Sequence, residues 1–502
     1  MVSRVRSVAF WGIEARPVTV ECALTAGLPA FTLVGLPDKA VTEAKERVRA
    51  ALTAVGLGLP PQRITMNLSP ADLPKAGSHF DLPIALALMV ALGVVPEDEA
   101  GRYVALGELG LDGALRPVQG ALPAALAAAS EGLGLICPAE CGAEAAWVGA
   151  CEVLAAPGLL ALINHFAGRA PLTPPEPGPV FEAAHQPDLI DVKGQETARR
   201  AIEVAAAGGH HVLLVGEPGS GKSMLARRTP SVLPPLAPEE ALEVATIRSL
   251  AGEAAGEAGA MCRARPYRDP HHSASRASLI GGGAGARPGE ISLAHRGVLF
   301  LDELPEFDPR VLESLRQPLE TGEILVARAN AHVRYPARFL MVAAMNPCRC
   351  GYLSDPERAC PRAPKCGQAY AAKLSGPLLD RFDIRLEVPA VTADILSLPS
   401  HGESSAKVAA RVAGARAAQA GRANGSGALT NAELDGARLD EVAAPDRAGL
   451  QLLQSAAAHH RYSARGYHRV LRLARTIADL DGAVAVRKAH VAEAVSYRRA
   501  IG

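Results

Sequence analysis

Short unbroken apolar runs punctuate a chain whose other positions mix polar and apolar residues. Val212–Val215, Val298–Leu301 and Phe339–Ala343 are each bounded by glycine, charge or amide. Runs of this length predict strands, and Val298–Leu301 suits a strand buried on both faces of a parallel sheet. The longest run, Leu82–Val95, contains Pro83 and is too short to span a bilayer. Residues 322–336 predict a β-hairpin, with Ile-Leu-Val-Ala-Arg328 and His332-Val-Arg-Tyr around Ala329-Asn330-Ala331. Helical periodicity governs Leu439–Ala500, with Leu471, Leu473, Ile477 and Leu480 among its apolar positions, and the alanine- and arginine-rich Ala406–Arg422 also predicts helix. Gly168–Pro179 holds Pro171, Pro174, Pro175, Pro177 and Pro179, a density that resists helix and sheet alike. A weaker break falls at Pro399–Gly427. Four segments follow: 1–167, a proline-rich linker 168–186, a core 187–395 and a helical region 396–502.

The strand at 212–215 runs into Gly216-Glu217-Pro218-Gly219-Ser220-Gly221-Lys222-Ser223, the phosphate-binding loop of P-loop NTPases. Glycines let backbone N–H groups close around phosphates, Lys222 reaches the β/γ-phosphates, and Ser223 offers a hydroxyl to Mg²⁺. The helix that follows points its positive end at the same anion. Asp302 emerges at the carboxyl end of the second strand, where ligands bind in open α/β sheets, and is placed to hold Mg²⁺ with Ser223. Glu303, one residue on, is placed to polarise the attacking water.

Composition narrows the partners only a little. The chain has 502 residues, is 49% hydrophobic and carries a formal net charge of +0, so no global field steers it to nucleic acid or membrane. Nine Lys/Arg between Arg461 and Arg499, against Asp479, Asp481 and Glu493, form either a local basic patch or a solvated helix face. The N-terminal apolar run is too short for a signal peptide, which predicts a cytoplasmic protein whose nine cysteines are reduced thiols or metal ligands.

Asp188-Leu-Ile-Asp-Val-Lys-Gly-Gln195, Asp269-Pro-His-His-Ser273, Pro288-Gly-Glu-Ile-Ser-Leu-Ala-His295 and Ser375-Gly-Pro-Leu-Leu-Asp-Arg-Phe-Asp383 give the chain a further identity. It resembles the Mg-chelatase-like AAA+ ATPases of the YifB/ComM type over nearly its whole length. The resemblance implies an α/β P-loop AAA+ core with a parallel sheet, a C-terminal α-helical lid, and a homohexamer with ATP between subunits. It makes Asn346 the sensor 1 residue, Arg381 an arginine finger acting on the neighbouring subunit's ATP, and Arg465 sensor 2, with Arg469 the alternate. It also implies DNA as partner, single-stranded or branched and bound without sequence preference, and a helicase that promotes branch migration in natural transformation. The runner-up is a chelatase-type motor that remodels a protein partner for metal insertion, although the chain has no Asp-x-Ser-x-Ser motif and no integrin-like domain.

Two segments are candidates to touch nucleic acid: 266–296, with Gly281, Gly282, Gly283 and Gly285 and with Arg268, His271, His272, Arg276 and Arg287, and the hairpin, with Arg328, His332 and Arg334. Cys348, Cys350, Cys360 and Cys366 fall within nineteen residues and are either a structural zinc site or reduced thiols in a loop. Residues 1–167 resemble the α+β proteolytic domain of Lon-type proteases at Asn67–Gly77 and Val104–Gly113. The Ser–Lys dyad of that family is missing: Lys75-Ala-Gly77-Ser78 is followed by His79, and Gln119-Gly120-Ala121 by Leu122. The domain is therefore expected to be catalytically inactive.

Overall fold

The computed structural model describes residues 2–182, 186–253, 259–282, 286–328, 331–353, 357–397, 399, 402–423 and 430–498. The N-terminal segment builds a seven-stranded mixed sheet in the order Ala30–Val34, Arg63–Ser69, Glu14–Thr25, Val2–Trp11, Tyr103–Ala105, Gly134–Pro138 and Val153–Ala156. Its first two long strands form an antiparallel hairpin in which Trp11 faces Glu14, leaving Gly12 and Ile13 as the turn. The apolar run expected to be too short for a membrane is the helix Asp81–Ala91, buried along almost its whole length against this sheet. No described helix is long and apolar enough to cross a membrane.

The second sheet has five parallel strands in the order Tyr267–Arg268, Val298–Leu301, Leu340–Met345, Val212–Val215 and Ile384–Glu387. Every residue of the three middle strands is buried. Because side chains alternate across a pleated sheet, each strand feeds two cores. Val212, Leu214, Val298, Phe300, Val342 and Ala344 join the helices Glu196–Gly208 and Lys222–Val232 on one face. Leu213, Leu299, Leu301, Met341 and Ala343 meet Ile324, Val326, Val333 and Tyr335 of the hairpin on the other. The hairpin itself is Glu323–Arg328 paired with Ala331–Pro336, as the sequence predicts; its tip, Ala329-Asn330, lies outside the described residues.

The helices Ser405–Ala423, Arg447–His460, Ala464–Leu480 and Lys488–Ser496 share the first of these cores. The helix Ser405–Ala423 packs on both Glu196–Gly208 and the P-loop helix Lys222–Val232, and its residues Val408 and Arg411 line a cavity beside the loop. The proline-rich stretch is not a free spacer. Val180–Phe181 pairs in parallel with Met261–Cys262, the Gly178 N–H donates to Ala143 O at 3.2 Å, and Pro175 packs on Gly142.

The two sheets meet along a seam. The Gly12 turn lies against Val333 and Arg334 of the hairpin, so closely that a Cβ at Gly12 would sit 2.7 Å from Arg334 O. Trp11 packs into the cores of both sheets. Trp147 Nε1 donates to Gly259 O at 2.7 Å, and the Gly120 N–H donates to Ser249 Oγ at 3.2 Å.

Candidate functional site

The strand Val212–Val215 delivers the glycine loop at its carboxyl end, between the strands Leu340–Met345 and Ile384–Glu387. Gly216 is obligatory there, because a Cβ would stand 2.2 Å from Val388 O. Gly219 and Gly221 adopt φ of +79° and +93° with nothing within 4 Å of where a Cβ would be, so the loop is open on the side a phosphate chain would occupy. Lys222 Nζ donates to Gly216 O and Glu217 O, both at 2.8 Å, and to Asn346 Oδ1 at 3.3 Å. Burial lowers its pKa, opposed by Asp302 and Glu217; an anion in the loop would restore the charge balance.

Ser223 Oγ donates to Asp302 Oδ2 at 2.7 Å, which unites the two oxygens expected to share Mg²⁺. Glu303 takes a left-handed backbone conformation, φ 51°, and its N–H donates to Asp302 Oδ1 at 2.9 Å. Its carboxylate turns to His272, with Oε2 3.3 Å from Nδ1. His272 was expected to face nucleic acid; it instead faces the residue expected to activate water. The neighbouring His271 ring lies 4.1 Å from that of His272, tilted by 34°. Beside the loop lies a cavity of about 1520 Å³ lined by Gly194, Gln195, Val215, Met345, Val391 and Ile395. Gln195 Nε2 spans its wall, donating to Ser220 O at 3.2 Å and Pro389 O at 2.5 Å. Charged side chains also line it, among them Glu196, Arg199, Arg200, Glu203 and Arg411, and the cavity has the size to take a nucleoside.

Arg381 sits elsewhere. Its guanidinium is nearly buried, Nη1 donating to Pro377 O and Nη2 to Glu320 Oε2, each at 2.7 Å. Two residues on, the Asp383 N–H donates to His211 O, at the amino end of the P-loop strand. Arg381 is therefore at the opposite end of the sheet from the loop. Arg465 is exposed and lines, with Arg381, Arg438, Arg469 and Arg472, a basic cavity of about 910 Å³ at that same end. The helices Ser405–Ala423 and Ala464–Leu480 pack on Glu196–Gly208, and Arg469, the alternate choice, is fixed to the Asp383 carboxylate and to Arg381 O.

The nucleic-acid candidates divide. Arg268 is not free for phosphate, since it holds Glu290 (2.6 and 3.0 Å) and Glu253 (3.0 and 2.8 Å). Arg276, Arg287 and Arg334 are exposed, Arg334 within 3.8 Å of Glu323. His271 is exposed with Nδ1 2.7 Å from Ser273 Oγ. Gly283 and Gly285, and the side chains of Arg328 and His332, lie outside the described residues. The charge-rich C-terminal stretch is mixed: Arg469, Arg472, Arg475 and Arg498 are turned inward onto Asp383, Leu434 O, Asp479 and Phe382 O, whereas Arg461, Arg465, Arg487 and Lys488 are exposed.

Three of the four cysteines come together. The Sγ atoms of Cys348, Cys350 and Cys366 lie within 4.8 Å of one another, and Cys360 lies near Cys350 and Cys366 on the same segment. In the N-terminal domain Ser78 Oγ donates to Glu108, and Lys75, fully buried, donates to Pro70 O. Neither is poised as one half of a nucleophilic dyad.

The family "Magnesium chelatase, subunit ChlI" matches residues 188–396, "Subunit ChlI of Mg-chelatase" residues 20–141, and the ChlI C-terminal family residues 402–498. The chain is 44% identical to the uncharacterized protein YifB of Escherichia coli K12 over 500 residues, covering 99% of this chain and 97% of that one. It is 42% identical to the competence protein ComM of Haemophilus influenzae over 500 residues, covering 98% and 97%. The likeness to the magnesium-chelatase 38 kDa subunit of Cereibacter sphaeroides is 26% over 215 residues, covering 39% and 57%.

Proposed function

The chain belongs to the magnesium-chelatase-like ATPases of the YifB/ComM type, and from that premise we propose that it is a Mg²⁺-dependent motor that works as a homohexamer on DNA and drives branch migration. One observation carries the hydrolytic half: Lys222, Ser223, Asp302, Glu303 and Asn346 converge on one open glycine loop. Lys222 and the loop N–H groups hold the β/γ-phosphates. The Ser223 hydroxyl and the Asp302 carboxylate are hard oxygen donors that suit Mg²⁺. That ion supplies charge neutralisation on the phosphates when bound. Glu303 orients the attacking water once it leaves His272, and Asn346 fixes that water by its neutral amide. Arg381 and Arg465 line a basic cavity at the far end of the sheet, so they meet phosphates only when a neighbour's loop faces that cavity.

The DNA half rests on the name of a relative, a competence protein, and on the hairpin and 266–296 segments, whose exposed arginines suit a sequence-independent, salt-sensitive backbone contact. Residues 1–167 act as a Lon-like scaffold without peptidase chemistry.

The test is ATP turnover of the purified protein alone and with single-stranded, duplex and Holliday-junction DNA, at two salt concentrations. Salt-sensitive stimulation, largest with branched DNA, is expected. Turnover indifferent to every DNA would overturn the DNA half and direct the search to a protein partner. Glu303→Gln is expected to bind ATP and not turn it over; normal turnover in that variant would overturn the hydrolytic assignment.

A further inference from the structure

Four thiols meet two residues beyond the amide that touches Lys222. Cys348 is completely buried, and its Sγ lies 2.9 Å from that of Cys350, too far for a disulfide bond and close enough to share a ligand. Cys366 completes a triangle with no side above 4.8 Å, and Cys360, near Cys350 and Cys366 on the same segment, is the fourth thiol at hand. Sulfurs arranged tetrahedrally at 2.3 Å from zinc stand about 3.8 Å apart, a separation this cluster brackets.

The backbone around the sulfurs is shaped for that role. A tight turn, with the Gly351 N–H donating to Cys348 O at 3.0 Å and Gly351 at φ +88°, folds Cys348 and Cys350 to the same side. Cys366 opens the helix Lys365–Ala371, and its N–H donates to Arg362 O at 3.1 Å.

The cluster also has a place in the molecule. Gly351 packs on the P-loop so tightly that a Cβ there would lie 2.6 Å from Pro218 Cγ. Arg358 Nη2 approaches Glu217 Oε2 at 3.6 Å. Past the helix, Lys373 Nζ donates to Pro305 O at 3.2 Å, just beyond Asp302 and Glu303. The cysteine segment thus touches the loop, and the helix that carries Cys366 leads to the lysine that meets the acidic turn.

We propose that Cys348, Cys350, Cys360 and Cys366 bind one zinc ion as thiolates, and that the resulting knuckle braces Pro218 and Asn346 in nucleotide-binding geometry. Each thiol gives its proton to solvent as its sulfur takes the metal, with no change of oxidation state. Zinc binding stands without the ATPase reading. The bracing rests on the P-loop reading, and it is measured by nucleotide binding rather than by DNA-dependent turnover.

The experiment is metal analysis of the full-length protein, reduced, stripped with a chelator and reloaded with zinc, alongside Cys360→Ser and a control, Cys262→Ser. One zinc per chain is expected in wild type and in Cys262→Ser, and none in Cys360→Ser. Affinity for a fluorescent ATP analogue is expected to fall about 10- to 100-fold in stripped wild type and to return on reloading. Cobalt added to stripped wild type should give the intense sulfur-to-metal charge-transfer band of a tetrathiolate site. That measurement holds even where Cys360→Ser fails to fold. No zinc uptake and no such band would overturn the site. Zinc uptake with nucleotide affinity unchanged on stripping would overturn the brace.

Discussion

The position of Arg381 makes a prediction that single variants cannot. From the amino end of the strand Val212–Val215, where Asp383 is anchored on His211 O, to the loop at its carboxyl end is about 13 Å at the usual rise per strand residue. Arg381 lies before that anchor and points into the cavity at the amino end, tied to Glu320, so its guanidinium does not span the sheet to its own Lys222. It serves a neighbour's nucleotide or none. Arg381→Ala is expected to lower turnover by about 10³–10⁵-fold, the usual worth of an arginine finger. Glu303→Gln is expected to be inactive for a different reason: its own site would be dead while its Arg381 stays intact. In a head-to-tail ring assembled from equal amounts of the two variants, about one interface in four pairs an intact loop with an intact arginine. The mixture is therefore expected to recover about a quarter of wild-type turnover in a steady-state ATPase assay, and more than either variant alone by orders of magnitude. A mixture no more active than the sum of its parts, with mixed assembly verified by mass, would refute action between subunits.

Acid should destabilise both sheets through buried imidazoles. Burial pushes His79 and His211 down to about 4 from 6.5, and Met341 N–H donates to His211 Nδ1, which must be unprotonated. The unfolded chain takes up the proton first, so stability is complete above pH 6.5 and falls as the pH drops toward 4, by about 3 kcal/mol per histidine; a flat denaturation midpoint from pH 7 to 5 would contradict this. Gly216→Ala, with its Cβ 2.2 Å from Val388 O, should abolish nucleotide binding and lower stability by about 1–3 kcal/mol in urea titration. Arg47 holds the fully buried Asp81 through two bonds of 2.6 and 2.9 Å, so Arg47→Ala should cost about 3–5 kcal/mol in unfolding of the N-terminal domain, read by urea denaturation.

What was legible in the sequence was whatever local pattern specifies. The glycine loop, the acidic pair after an apolar strand and the hairpin 322–336 are each written within about fifteen residues, and each lies where its pattern places it. Charge was the misleading signal. An arginine in a sequence suggests solvent, yet Arg475 is 2% exposed and Arg498 9%, because carboxylates and carbonyls from distant segments meet them. Arg268 is likewise claimed by Glu253 and Glu290, the nearer of them fifteen residues away. The side of the sheet on which Arg465 falls depends on which helix faces pair in the interior, and periodicity gives the face of a helix without its partner. The proline-rich stretch conveys the absence of regular structure without conveying that its end pairs with Met261–Cys262.

The seam between the two sheets holds the chain's only two tryptophans. Trp11 sits beside the glycine turn that rests on the hairpin, and Trp147 bonds across to Gly259. Intrinsic fluorescence excited selectively at the indoles therefore comes from the joint and from nowhere else in the molecule. A motion of the hairpin that pries the turn loose would wet Trp11 and shift its emission to the red, whereas a cycle confined to the glycine loop would leave the spectrum alone. The molecule carries its own optical gauge of whether the N-terminal sheet moves with the motor.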